Sequence, residues 1–254
     1  MKKLLLGLFL VSSVLAFSAR VIKSTEAVVK NNVIYVGQEK SPYTGVIETY
    51  NEKGVLEAKA DIKNGQMDGS SKIYYPSGKL QSEATFKNNV QVGVQKDYTE
   101  DGKLKLELPY KNGKLDGVVK SYYPNGKIQA KQFFINNRKA GIWQYYYESG
   151  KLKAEIVYNI MSNDEEGIIK TYDEKGVIIS EGRIVNDNMA GVWNYYDEKG
   201  RKNYTYDFVK GIITTYDEKG KIIFQVTERD LANRFREIQQ EINDDRIRAN
   251  EDKN

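Results

Sequence analysis

Two residue types are missing outright: the 254-residue chain has no cysteine and no histidine. Without cysteine there are no disulfides, no thiolate nucleophile and no thiol to carry a lipid. Without histidine, the commonest metal ligand and the usual general base near neutral pH are gone. Proline is scarce at 4 residues and tryptophan scarcer at 2. Charge of one sign is not in excess either. Lys and Arg number 39 against 35 Asp and Glu, a formal +4 that is mixed along the chain. A nucleic-acid binder clusters its Arg and Lys on one face, so nucleic acid is excluded as a partner. With no polybasic cluster, a membrane surface is a weak candidate partner.

Long apolar runs are absent except near the start. Lys2 and Lys3 precede a mostly apolar stretch from Leu4 to Leu15, and Ala16-Phe17-Ser18 follows. That order of basic, apolar and small residues is the pattern of a secretory signal peptide. The stretch is shorter than the roughly 20 residues that span a bilayer. The expectation is a signal peptide over residues 1–18, cleavage after Ser18, and export to the periplasm, the cell envelope or the medium.

What the chain does have is glycine and tyrosine, 21 and 19 residues. They are not scattered. A frame of glycine, eight residues and glycine, with tyrosine at the fifth position, starts at Gly45, Gly69, Gly93, Gly117, Gly141, Gly167, Gly191 and Gly211. The steps are 24, 24, 24, 24, 26, 24 and 20 residues. A fixed period in this range means a repeat protein whose units contact only their neighbours.

One copy shows how a unit folds. Val118 to Tyr123 is rich in β-branched and aromatic residues and reads as a strand. Pro124-Asn125-Gly126 breaks it, and Ile128 to Phe134 returns as a second strand. A second turn follows, as Asn64-Gly65, Asn88-Asn89, Asn112-Gly113 and Asn136-Asn137 in successive units. These pairs tolerate positive φ and suit two-residue hairpin loops. The tyrosine at position five and the apolar residue at position eleven, such as Tyr122 and Ile128, are expected to be cross-strand neighbours. A later set, Ile62, Phe86, Tyr110, Phe134, Tyr158 and Ile184, is expected to join them on the same buried face.

These segments resemble the MORN repeat in its variant form. GIWQYYYESGKLKAE from Gly141, GVWNYYDEKG from Gly191 and PYKNGKLDG from Pro109 carry the likeness. The resemblance implies an all-β, elongated array of about eight antiparallel hairpins over residues 41–226. Residues 19–40 then form lead-in strands. Bacterial proteins of this kind are often described as antitoxin-like, which implies a toxin partner. The sequence departs from the pattern at the second position, where tryptophan survives only as Trp143 and Trp193, and in the length of two steps. Two extra residues fall around Ile160–Glu166, and the last step is short, with Lys202 replacing an apolar residue. Irregular hairpins are expected there.

Residues 227–254 change character. Thr227 reads as a helix cap, with Glu228 and Asp230 in the first turn. Leu231, Phe235, Ile238 and Ile242 then form one apolar stripe. The expectation is a C-terminal helix that caps the last hairpin's open edge; a dimerising or partner-binding helix is the alternative.

Aromatics crowd two strands, with Trp143, Tyr145 and Tyr147 in one and Trp193 and Tyr195 in the other. Tyr75, Tyr123 and Tyr147, one step past the repeated tyrosine, are expected to point outward. These seven residues are the candidate binding residues, since exposed aromatics beside lysines suit protein or glycan partners. The acids of Asp173-Glu174, Asp197-Glu198 and Asp217-Glu218 sit in turns without calcium-loop spacing. No cofactor, metal or catalytic residue is expected. The functional expectation is an exported, non-enzymatic scaffold for adhesion or assembly. The alternatives are an antitoxin-like neutraliser and a carboxylate-dependent glycan-active enzyme.

Overall fold

A computed structural model describes residues 20–161 and 164–251, so the expected signal segment 1–18 lies outside the described residues. Each repeat is a hairpin, as in Gly117–Tyr122 against Ile128–Ile135. Each return strand then pairs with the next outgoing strand, so that 19 strands join in one long sheet. Contacts run between sequential strands, which is the one-dimensional logic of a repeat array.

Sequence local to each turn sets this register. Asn64, Asn88, Asn112, Asn136 and Asn186 all take φ near 50°, and the residue after each is also left-handed. Two consecutive positive φ values match the twist of a tight hairpin, and Asn and Gly adopt them at least cost. A sixth copy of this turn, Asn31-Asn32, closes a separate hairpin, Ala27–Lys30 against Val33–Val36, within the expected lead-in. The turns also stack on one another. The Asn137 N–H donates to the Leu115 carbonyl, and its Oδ1 accepts from the Leu115 N–H. Asn89 does the same with Met67.

Tyrosine at position five faces position eleven in all eight repeats, from Tyr50 opposite Leu56 to Tyr216 opposite Ile222. The third apolar set does not share their face, which corrects the expectation. Phe134 pairs with Gly117 and Tyr158 with Gly141, at position zero of the outgoing strand. The cause is a bulge. Tyr122 pairs with Ile128 but Ser121 pairs with Ala130, so one extra residue in the return strand reverses the alternation beyond it. Even positions of the outgoing strand therefore belong to one face, and position five to the other.

The even face is the packed one. Trp143, Ile156, Tyr158, Ile184 and Trp193 form its largest buried cluster. A smaller cluster of Ile22, Val36, Tyr43 and Ile62 seals the N-terminal end, where Val21–Lys23 pairs in parallel with Gly45–Tyr50.

The hairpins at both expected irregular points remain paired, and Lys202 lies in a strand opposite Tyr196. In the short step, Lys202–Asp207 returns and Asp207 Oδ1 accepts from the N–H groups of Val209 and Lys210. The C-terminal helix runs from Glu228 to Glu251, as the stripe predicts. It does not cover the last strand, however: Phe235 is 63% exposed and Ile238 38%. Among the described residues, no helix is long and apolar enough to cross a membrane.

Candidate interaction face

Trp143 and Trp193 are core residues rather than binding residues. They are 4% and 3% exposed. The Trp143 indole N–H donates to the Phe133 carbonyl at 2.8 Å, and that of Trp193 to the Arg183 carbonyl at 2.9 Å. Trp143 sits between Phe134 and Tyr158, with ring centroids 5.0 and 4.9 Å away. A buried indole satisfies its one donor and spends its ring area on packing, and these two do both.

Tyr145 and Tyr195 lie at the margin of this cluster, half-buried. The Tyr145 hydroxyl accepts from Gln132 at 3.0 Å, and burial raises its pKa above the usual tyrosine range. Tyr195 stacks on Tyr204 with centroids 4.4 Å apart. Lys139 closes the cluster from above. Its ammonium lies 5.6 Å from the ring centroids of both Trp143 and Tyr158 and binds Glu165 and Asp187 at 2.7 Å each. Burial opposes its charge, but the bonds to Asp187 and Glu165 outweigh that and raise its pKa. Burial also pushes Tyr158 up to about 12. The repeat frame gave no signal for this three-residue contact, because it joins the connections preceding repeats five, six and seven.

Tyr75, Tyr123 and Tyr147 do not point freely outward, a second correction. Each is half-buried and reaches across to the next repeat. Their hydroxyls donate to the backbone carbonyls of Tyr98, Tyr146 and Tyr172 at 2.8, 2.6 and 2.7 Å. Even positions lie on the packed face, so position six, one step past the open-face tyrosine, falls on the packed side. Other repeats place Asn51, Thr99, Asp173, Asp197 or Asp217 at this position. Their side-chain oxygens instead accept from N–H groups of their own turn. The acidic loops are thus turn caps. Among the described residues, no group of three or more acids is placed to hold a metal ion.

The odd face carries the repeated tyrosines, and it is more open. Its upper row holds position five, where tyrosine hydroxyls donate to carboxylates. Tyr98 bonds Glu83, Tyr122 bonds Glu107 and Tyr196 bonds Glu181, at 2.7, 2.9 and 2.6 Å. Lys120 and Lys170 pair with two of these acids. At the other margin, position one presents an apolar row. Val94 is 47% exposed, Val118 43%, Ile142 53%, Ile168 49% and Val192 53%. Cross-strand neighbours extend it, since Val94 faces Pro109, Val118 faces Phe133, and Val157 faces both Ile142 and Ile168. The sequence did hold a signal for this row. Seven of the eight residues after the frame glycine are Val or Ile, with Ser70 the exception.

The sequence model of the MORN repeat variant matches residues 67–88, 91–112, 115–136 and 139–159. No curated protein matches the chain. Among solved structures, a crystal structure of a GtfA/B complex bound to UDP and GlcNAc aligns with 49% of this chain and 25% of its own, at 15% identity and a TM-score of 0.21. A crystal structure of TcdB2-TccC3-TEV aligns with 80% of this chain and 14% of its own, at 11% identity and a TM-score of 0.18. The chain therefore spans a quarter or less of either protein, and overlap at these TM-scores is too low to carry an argument. Four of the eight hairpins in this sheet thus match the MORN repeat variant.

Proposed function

We propose that this chain is a non-catalytic interaction scaffold that engages a protein or glycan partner of the cell envelope along its odd face. One observation carries the reading. A row of β-branched side chains, each about half exposed, repeats across successive hairpins beside a band of tyrosines and charged pairs. Soluble proteins seldom leave a contiguous apolar row uncovered, and a polar margin around one is the usual layout of an interaction surface. Export rests on the basic, apolar and small residues of positions 2–18. No observation favours the toxin-neutralising or glycan-cleaving alternatives.

The reading is tested with Ile142→Lys combined with Ile168→Lys, two exposed positions on the row. Immobilised wild-type protein should retain an envelope component that the variant loses, while the two proteins share one circular dichroism spectrum. Equal retention by both would remove the odd face from the account. Mass spectrometry of the protein isolated from cells should place its first residue near Ala19; an intact Met1 would contradict export with cleavage.

A further inference from the structure

The two ends of the array are built differently. At the N-terminal end, Val21–Lys23 covers the edge of Gly45–Tyr50, and Tyr43, 2% exposed, donates to the carbonyls of Arg20 and Val46. At the C-terminal end, Ile222–Thr227 pairs, among the described residues, only with Ile212–Tyr216. Its other edge carries no proline and no charge, and Ile222, Ile223 and Phe224 are 54%, 64% and 54% exposed. An apolar edge with unused backbone groups is a template for another chain, and natural proteins cover such edges or charge them.

The chain's own helix cannot provide the cover. Helix follows strand without a linker, Thr227 being the last strand residue and Glu228 the first helical one. The Glu228 N–H donates to the Gly211 carbonyl at 2.8 Å, and Thr227 Oγ1 accepts from the Asp230 N–H at 3.1 Å. Both bonds fix the direction in which the helix leaves the sheet. Phe235 and Ile238 of its apolar stripe are left exposed beside the uncovered edge. The spacing from Leu231 to Phe235 to Ile238 is four then three, an interval that fits one helix packing against another.

We propose that a second copy of this chain covers this end, in a twofold dimer that packs helix seam against helix seam beside the two last strands. A twofold contact uses the same patch on both partners, so one uncovered end suffices. Head-to-tail stacking would have to pair Ile222–Thr227 with Val21–Lys23, a strand of only 3 residues against 6. The exposed side chains at this end supply part of the area. A phenylalanine buries about 150–250 Å², so the exposures of Phe224 and Phe235 leave about 80–160 Å² apiece to cover. Ile223 and Ile238 add to this, and the polar helix flanks and the strand's backbone edge would supply the rest of the roughly 800 Å² per partner of a stable interface. The dimer is independent of the reading of the odd face, which lies along the array rather than at its end.

Sedimentation of the purified protein from about 1 to 100 μM decides this. The wild type should sediment as two chains, with a concentration-dependent share of one. Phe235→Asp with Ile238→Asp should raise the dissociation constant at least about tenfold and leave the β circular dichroism unchanged, since both side chains are exposed. Ile223→Lys, on the strand edge, should weaken the dimer separately. A single-chain wild type at the top of the range would leave this end to some other partner and overturn the proposal. A dimer that survives both variants would overturn it as well.

Discussion

The Tyr123 hydroxyl donates to the Tyr146 backbone carbonyl at 2.6 Å, tying the turn of repeat four to the end of a strand in repeat five. Tyr75 and Tyr147 make the same bond one repeat on from themselves. These bonds link units that otherwise meet through their strand ladder, so they act on coupling between repeats more than on the repeat itself.

Tyr123→Phe should lower unfolding free energy by about 0.5–1.5 kcal/mol, the net worth of one intramolecular hydrogen bond. Tyr123→Ala should cost more, because the ring's contacts go too. Tyr123→Asp should fall short of the alanine loss, since aspartate at this position caps its own turn, as Asp173 does with Lys175 and Val177. Urea unfolding of the three variants checks the order. An alanine variant as stable as the wild type would show that the bond couples nothing.

Gly182 is buried beneath the Trp193 ring, and a Cβ built there would lie 2.3 Å from a ring carbon. Its backbone is ordinary for a strand, so space rather than φ demands glycine. Gly182→Ala should therefore cost about 1–3 kcal/mol, as overpacking of a filled core does. A thermal melt compared with that of Ala84→Gly, the equivalent position in repeat two, separates crowding from the general effect of glycine in a strand. An unchanged melting temperature for Gly182→Ala would contradict the packing of Trp193.

The tyrosine–carboxylate pairs set the pH limits. In Glu181 the hydrogen bond from Tyr196 leads in lowering the pKa; in Glu107 burial opposes, but bonds from Lys120 and Tyr122 prevail. A carboxylate depressed by folding stabilises above its unfolded pKa, and that contribution disappears as pH falls through the folded value. The partner tyrosines run the other way. Burial first, then the carboxylate bond, pushes Tyr98, Tyr122 and Tyr196 up to about 12 from an ordinary 10.0. Their contribution is complete below the unfolded value and is lost as pH rises from there through the folded one. Stability should thus fall below the ordinary carboxylate range and again between pH 10 and about 12. Tyr122→Phe combined with Tyr196→Phe should flatten both limbs. Urea midpoints measured across pH check this, and unchanged limbs in the double variant would contradict it.

Much of the fold was legible because the repeat writes each instruction several times. The Asn-Gly and Asn-Asn turns, and the pairing of Tyr122 with Ile128, could be read directly, since turn chemistry and hairpin length fix them locally. The side on which Phe134 falls could not. A single extra residue between Ile128 and Ala130 reverses it, and no residue type marks that bulge. The same error spread to the candidate site. Trp143 stands among the candidate binding residues by its aromatic crowding alone, while position two belongs to the packed face. Tyr123, expected to face outward, stands at an even position on the packed side and donates to the next repeat. The exposed row at position one was written plainly in the sequence, but β-branched residues after a glycine read as strand formers until their face is known. Lys139, Glu165 and Asp187 meet across connections of unequal length, so no fixed spacing could announce them.

The central claim is that one face of this single sheet is packed and the other is offered to a partner. Trp143 and Ile142 are adjacent in sequence, on opposite faces, and 4% and 53% exposed. Urea unfolding of Trp143→Ala and Ile142→Ala tests it most directly. The account predicts a loss of about 3–5 kcal/mol for the tryptophan and a change within about 0.5 kcal/mol for the isoleucine. Comparable losses at both positions would mean that both faces are covered, and would contradict the account.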